Sequence, residues 1–332
     1  MRIGVIGAGA VGGAIAALLD RAGHEVEVTA RGAHLEAIRE HGLRLGGGWV
    51  DHVARVTANE VLARTPELAI VATKAQDARA AIRDNLALLR GVPIVVVQNG
   101  LDAIPTARAA APDSEIVGGL AVFASSYLSP GEIVVTTPGR LYLGVEHGAS
   151  DVPAAYAARV LGEVLPTEVL PNLRGAQWSK LVINQVNALP AITGLSVQEV
   201  IAIGALRRIM AASIRENARI GLASGVHFEK VQGLTHGLIR LVSIAPIWLA
   251  QGLPLLMSRR MGAVPNPGST LQSIRRGQAT EIDYLNGAVV RAAEALGRTA
   301  PVNAAMVRLV HEVEQRGEFF TPDEVSRSLR TT

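Results

Sequence analysis

The chain reads as an α/β N-terminal domain followed by an all-helical one. Three observations predict this. Glycines in the pattern G-x-G-x-x-G stand between an apolar strand-like run and a helical pattern within residues 1–31. Strand-length apolar runs alternate with helical segments through the first hundred residues, and after Asn172 nearly every segment has helical periodicity.

Met1 to Ile6 is the first strand. Gly7-Ala8-Gly9-Ala10-Val11-Gly12 follows it, the pattern becomes helical from Ala14, Gly23 stops the helix, and Glu25 to Ala30 is a second strand. This is the βαβ unit of a Rossmann dinucleotide-binding domain, which holds a pyrophosphate at a helix N-terminus. Gly7 suits the tight turn, Gly9 lets backbone approach phosphate, and Gly12 lets helix and strand pack closely. Gly7, Gly9, Ala10, Val11 and Gly12 are therefore the candidate cofactor turn. A purely structural glycine turn is the plainer alternative.

The tip of the second strand chooses the cofactor. An NAD enzyme usually carries Asp or Glu about 20 residues past the glycines, to bind the ribose 2′-hydroxyl. Here the chain reads Val28-Thr29-Ala30-Arg31. An arginine without an acid suits a 2′-phosphate, which a guanidinium holds bidentately, so the expectation is NADP(H). Arg31 as one more solvated arginine is the alternative.

Leu68 to Thr73 is a buried strand ending at Lys74, and Pro93 to Val97 is another ending at Gln98-Asn99-Gly100. Ligands of open parallel sheets sit beyond the carboxyl ends of the strands, so Lys74 and Asn99 fall at the cofactor edge. Asn99 could equally be a turn former before glycine. Ile116 to Val145 reads as short strands with turns at Ser129-Pro130-Gly131 and Pro138-Gly139, two hairpins appended to the sheet. Asp151 to Leu165 is one more helix, and Pro166 and Pro171 bracket a strand or linker. The expected domains are 1–171, binding NADP, and 172–332, helical, for substrate and dimerisation.

The second domain opens with the helical segment Ala176 to Asn187. At about 100° per residue Asn184 lies about 40° from Lys180 and Asn187 about 20° from it, so the three polar side chains share one stripe. Asparagine is a poor choice for a solvated helix face, so a cleft-lining stripe is favoured over a solvated one. Leu238 to Met257 has about the length of a membrane span with one charge, Arg240, but Pro246, Gln251, Gly252 and Pro254 would break it. It is expected as two short helices forming a core, a cleft wall or a homodimer interface, with no membrane role. Asn266 to Gln272 is a loop entering a helix. Thr280-Glu281-Ile282-Asp283 is expected as a capping box before a helix from Tyr284 to Leu296, with Gly297 as its stop. Residues 317–332 read as a polar tail held by Phe319 and Phe320.

Composition narrows the function classes. The 332 residues are 49% hydrophobic, enough for two domains that bury roughly three quarters of the unfolded surface. No cysteine is present, which excludes disulfides, thiolate metal sites and cysteine nucleophiles and fits a reducing cytoplasm. The apolar N-terminus has only Arg2 before its core and its glycines belong to the turn, so it does not read as a signal sequence. Net charge is +3 and the pI near 9.6, but the basic residues are scattered without interleaved aromatics, so no nucleic-acid partner is expected. Only Lys74, Lys180 and Lys230 are lysines among the 32 basic residues. A lysine can be tuned to give up a proton, and an arginine cannot.

In order and spacing, GAGAVG at 7–12, Arg31, TKAQ at 73–76, QNG at 98–100, WSKLVIN at 178–184, NPGSTLQ at 266–272 and TEIDYLNG at 280–287 resemble the ketopantoate reductase family nearly end to end. The resemblance implies a Rossmann domain facing a helical domain of 6-phosphogluconate dehydrogenase type, with NADPH and ketopantoate in the cleft. It implies Lys180 as general acid and Glu281 as the carboxylate that contacts the substrate hydroxyl and holds that lysine. Asn99, Asn184, Asn266 and Ser269 match positions that bind substrate or nicotinamide, and Arg31 and Lys74 match cofactor-binding ones. One departure stands out: where the family often has a second asparagine four residues after the first, this chain has Ala188, and the asparagine is Asn187.

The chemistry agrees. Hydride arriving at a ketone carbon builds negative charge on oxygen, so the site needs a cation that also donates a proton, as Lys180 can. Neutral Asn99, Asn184, Asn187, Asn266 and Ser269 could hold a substrate carboxylate. No metal is required. The expected function is NADPH-dependent reduction of 2-dehydropantoate to pantoate, which feeds pantothenate and coenzyme A synthesis. The alternatives are reduction of another small 2-oxo acid or a derived imine, or a non-catalytic NADP(H) sensor.

Overall fold

Strand β1 (Arg2–Ile6) is buried along its last four residues, as a central strand of a parallel sheet must be. The computed structural model to which it belongs describes residues 1–146, 148–262 and 264–329. These form two units, Met1–Leu173 and Arg174–Thr332.

In the first unit, α1 (Ala10–Arg21) buries a continuous run from Gly12 to Leu19, and β2 (Glu25–Thr29) returns parallel to β1. The helix starts four residues earlier than expected because Ala10 and Val11 complete its first turn behind the Gly9 N-cap. The chain continues through α2 (Gly32–His41), β3 (Leu43–Gly47), β4 (His52–Ala54), β5 (Thr57–Asn59) and β6 (Leu68–Val71). Next come α3 (Ala78–Asp84), α4 (Leu86–Leu89), β7 (Ile94–Val97), α5 (Ala103–Ala110) and β8 (Ile116–Ala121). The unit closes with β9 (Ala124–Ser129), β10 (Glu132–Thr137), β11 (Leu141–Gly144), α6 (Val152–Gly162) and β12 (Thr167–Val169).

Eight strands form the main sheet in the order β12-β11-β8-β7-β6-β1-β2-β5. The chain leaves β1 for β2 on one side and later returns to β6 on the other, so the order reverses between β1 and β6. Doubly wound sheets bind ligands at this reversal. A second sheet, β4-β3-β10-β9, corrects the expectation of two appended hairpins. Of the two turns, Ser129-Pro130-Gly131 closes a hairpin, β9 to β10. Pro138-Gly139 carries the chain back to β11, which runs antiparallel to β8 in the main sheet.

The second unit is helical. Helix α7 (Leu173–Asn184) starts at the boundary, followed by α8 (Ala188–Thr193), α9 (Val197–Ala202) and the long α10 (Gly204–Ala223). Residues 238–257 form parts of three helices, not two: α11 (His236–Ile244), α12 (Ile247–Ala250) and α13 (Gly252–Met261), broken at Pro246 and at Gln251. They bury Ile239, Val242, Ala250 and Leu253 and expose Ile244 and Trp248. No helix of the described residues is long and apolar enough to cross a membrane. After α14 (Gly268–Arg275) come α15 (Asn286–Ala295), α16 (Pro301–Arg316) and α17 (Pro322–Ser328).

The tail expected at 317–332 is instead a capped helix as far as it is described. Thr321 and Glu324 form a capping box at α17, Phe320 N–H donates to the Ile192 carbonyl, and residues 330–332 lie outside the described residues. The capping box expected at Thr280 does not form. Ile282–Tyr284 is a 3₁₀ turn without a side-chain cap, and Asp283 is too short a side chain to play the Glu or Gln part and is engaged by His311.

Candidate active site

The glycine turn of the first unit is built for close approach. Gly7 has φ +97°, and a Cβ there would press on the Thr73 side chain and backbone at 2.7–2.8 Å. A Cβ on Gly12 would overlap the Gly7 carbonyl oxygen, so no other residue lets α1 pack this tightly on the turn. At Gly9, in contrast, a Cβ would meet nothing within 4 Å. Gly9 is the N-cap of α1, with no side-chain cap and no acid in the first turn. Space in front of uncapped N–H groups and a positive dipole end suits a phosphate.

Two side chains fix this turn, and sequence reasoning missed both. Thr29 Oγ1 accepts from Gly7 N–H at 2.9 Å. His34 accepts from Gly131 N–H at Nδ1, 2.9 Å, so its Nε2 carries the hydrogen donated to the Ala8 carbonyl, 2.8 Å away. Burial holds His34 below the ordinary histidine value, which keeps that neutral tautomer, while the bond to Ala8 opposes the shift. Histidine early in α2 was the available signal.

Arg31 is the N-cap of α2, directly past β2. It is 73% exposed and only 3.7 Å from the half-exposed Asp84 carboxylate, an ion pair that solvent screens. Glu27, the nearest acid in β2, is buried and spent on Asn59 Nδ2 (2.9 Å) and Ala63 N–H (2.7 Å). Lys74 and Asn99 lie past the carboxyl ends of the paired strands β6 and β7, both half-buried. Gln98, buried between them in sequence, ties the two ends together by donating to the Thr73 carbonyl at 2.9 Å.

In the second unit, α7 presents Lys180 and, one turn on, Asn184, both half-buried. Trp178, Ser179, Leu181 and Val182 turn into the core, and Ser179 Oγ donates to the Glu229 carbonyl at 2.6 Å. Lys180 is pushed down to about 8 by loss of water around its ammonium, and the Glu281 carboxylate opposes that shift. Some of the lysine stays exposed, but the charged end sits deep enough that desolvation dominates.

Asn187 does not continue the stripe. Helix α7 ends at Asn184, and Asn187 is the N-cap of α8, reached through tight bonds from Val186 N–H to the Ile183 carbonyl (3.3 Å) and from Asn187 N–H to the Asn184 carbonyl (3.0 Å). Pro190 supplies the reason: in an unbroken helix its ring would clash with the Val186 carbonyl, whereas three residues into a new helix it needs no N–H. Asn187 instead meets α14, where Gly268 has φ +72° and a Cβ would come within 2.7 Å of its Oδ1. In the same loop, Asn266 Oδ1 accepts from Gly268 N–H at 2.9 Å, and Asn266 and Ser269 are exposed.

Behind these residues lies a buried polar hub that the sequence reading also missed. Ser213 Oγ donates to Gln185 Oε1, and Asn286 Nδ2 donates to Gln185 Oε1 (2.8 Å) and Asn303 Oδ1 (2.9 Å). Asn303 Nδ2 donates to Glu216 at 2.7 Å. The hub ties Gln185, just past α7, to α10, α15 and α16. Among the described residues no group of three or more His, Asp or Glu side chains is placed to hold a metal.

A doubly wound sheet with an uncapped glycine turn at its reversal, followed by a helical unit carrying a desolvated lysine beside a glutamate, defines a two-domain oxidoreductase of the dinucleotide-binding class. The model of the family "Ketopantoate reductase PanE/ApbA" matches residues 3–148, and that of its C-terminal domain matches 172–314. The chain belongs to the ketopantoate reductase family. It is 25% identical over 319 residues to a 2-dehydropantoate 2-reductase of Pyrococcus horikoshii (96% of this chain, 99% of that one) and 26% identical over 318 residues to one of Archaeoglobus fulgidus (94% and 98%). A PanE/ApbA family ketopantoate reductase from Ralstonia eutropha superposes with TM-score 0.78 at 29% identity, covering 95% of this chain and 99% of that one. A D-mandelate dehydrogenase solved with NADH and anilino(oxo)acetate superposes with TM-score 0.80 at 20% identity over 95% and 99%, a likeness of fold.

Proposed function

We propose that the protein reduces 2-dehydropantoate to pantoate with NADPH, the first unit binding the cofactor and the second supplying the proton. The carrying observation is Lys180, desolvated to about 8 with Glu281 acting on it, in a family whose named members are 2-dehydropantoate 2-reductases. The glycine turn fits a dinucleotide: Gly7, Gly9, Ala10, Val11 and Gly12 would hold the pyrophosphate, Arg31 the 2′-phosphate, and Lys74 and Asn99 the part nearer the nicotinamide. When bound, the cofactor supplies the hydride.

Everything else is the work of this chain's side chains. Lys180 Nζ gives a proton to the carbonyl oxygen of the 2-oxo acid as that oxygen becomes an alkoxide, and its positive charge favours the same oxygen beforehand. Glu281 keeps the ammonium charged against burial and accepts a hydrogen bond from the substrate hydroxyl. Asn184, Asn187, Asn266 and Ser269 bind substrate as neutral groups. Glu27 being spent on Asn59 and Ala63, and Arg31 standing at the strand end, support NADPH over NADH. A cofactor sensor would need neither Lys180 nor Glu281. Following NADPH absorbance with ketopantoate, 2-oxoisovalerate and pyruvate tests the reading. A kcat/KM highest for ketopantoate is expected; tight NADPH binding with reduction of another 2-oxo acid alone would move the assignment to that substrate.

A further inference from the structure

The turn that carries Glu281 is clasped to α16 at two points. On its amino side Thr280 N–H donates to Glu314 Oε1 at 2.8 Å, and on its carboxyl side Asp283 Oδ1 lies 3.0 Å from His311 Nε2. The clasp closes on itself, because His311 Nδ1 lies 2.7 Å from Glu314 Oε2. Both ring nitrogens of His311 thus face carboxylate oxygens, which only accept. The two bonds coexist only if each nitrogen carries a hydrogen, that is, if the ring is an imidazolium.

We propose that His311, as an imidazolium between Asp283 and Glu314, is a positioning residue that holds the Glu281 carboxylate against Lys180 and releases it when the ring loses its proton. The proposal rests on the Lys180 and Glu281 pair described above and adds a residue that touches neither substrate nor cofactor. The turn itself is short: Ile282–Tyr284 is a single 3₁₀ turn without a side-chain cap, anchored also by buried Ile282 and by Arg291 at the Asp283 carbonyl. Burial pushes His311 down, but its bonds to Asp283 and Glu314 outweigh that and hold it above the ordinary histidine value. Burial likewise raises Glu314, and its bonds to Thr280 and His311 bring it below the usual carboxylate value.

Two charged groups on helices packed against α16 have partners of their own. On α15, Arg291 donates to the Asp283 carbonyl at 2.8 Å and lies over the Tyr284 ring. Helix α8 carries no titratable side chain. On α10, Glu216 is engaged at the start of α16, accepting from Val302 and Asn303 N–H, both at 2.9 Å. The sign follows from the raised value. The clasp is complete above the lowered Glu314 value, and it opens as pH rises through the raised His311 value, when one bond becomes a lone pair facing an oxygen.

Lys180 reports on the clasp directly, because Glu281 raises its pKa. The chain has three lysines, so ¹⁵N,¹³C-lysine labelling gives three side-chain signals, which Lys74→Arg and Lys180→Arg variants assign. Titrating them in the intact protein needs neither cofactor nor substrate. Glu281→Gln should lower the Lys180 pKa from about 8. His311→Ala should lower it in the same direction with Glu281 intact, and His311→Arg, which keeps a permanent bidentate donor, should restore it. Turnover of His311→Ala should fall about ten-fold in kcat with little change in cofactor KM, the worth of roughly one hydrogen bond. A Lys180 pKa that falls in Glu281→Gln and stays put in a folded His311→Ala would overturn the proposal alone. No change in Glu281→Gln either would remove the pair itself, and absence of ketopantoate turnover in the wild type would refute only the substrate reading.

Discussion

The Glu281 carboxylate works against the loss of water that pushes Lys180 toward neutrality, and the lysine comes to rest at about 8. In the proposed reaction the pair would therefore set both the proton available to a reacting oxygen and the pH at which that proton disappears. An exposed lysine would hold its proton to about 10.4 and give it up reluctantly.

The pH dependence of turnover follows. Lys180 is charged and able to donate below about 8 and neutral above it, so kcat/KM should fall as pH rises through about 8. Glu281→Gln removes the group that raises the lysine, and the falling limb should move to lower pH. A steady-state profile flat to pH 10 in the wild type would take Lys180 out of the rate-determining proton transfer.

Arg31 should discriminate between cofactors. It stands past β2 with its side chain 73% exposed and only a solvent-screened ion pair to Asp84 at 3.7 Å, so removing it costs the fold little. Arg31→Ala should weaken NADPH by roughly 1.5 to 3 kcal/mol, the range for a hydrogen bond to a charged group, and leave NADH nearly unchanged. Fluorescence titration of both cofactors measures the ratio, and equal losses for the two would refute the 2′-phosphate contact.

The hub behind the site should matter to stability more than its polar character suggests. Asn286 is fully buried and serves both Gln185 and Asn303. Asn286→Leu leaves two buried acceptors short of a donor and should cost about 1 to 3 kcal/mol, read as a lower denaturation midpoint with an unchanged slope. A variant as stable as the wild type would mean that Ser213 alone satisfies the hub.

How much of this was legible in the sequence depended on whether a residue had one physical reason or several. Gly7, Gly9 and Gly12 could be read directly, because a turn, an open approach and a close packing each call for glycine. The second sheet could not, since β3 and β4 are only five and three residues long and carry too few apolar side chains for alternation to show. The stripe through Lys180 and Asn184 followed from helical geometry, and its extension to Asn187 failed at a signal that was present, Pro190. The two-point clasp on the Glu281 turn pairs residues about thirty apart through side chains, and no local pattern encodes it.

The proposed role of Lys180 is to supply the proton for reduction of a 2-oxo acid by NADPH. Its most direct test is single-turnover oxidation of bound NADPH by ketopantoate in the wild type and in Lys180→Ala, with NADPH affinity measured on the same samples. A rate lower by about 10² to 10⁴, the usual worth of a positioned acid, is expected, with NADPH bound as before. Equal rates in the two proteins would contradict it.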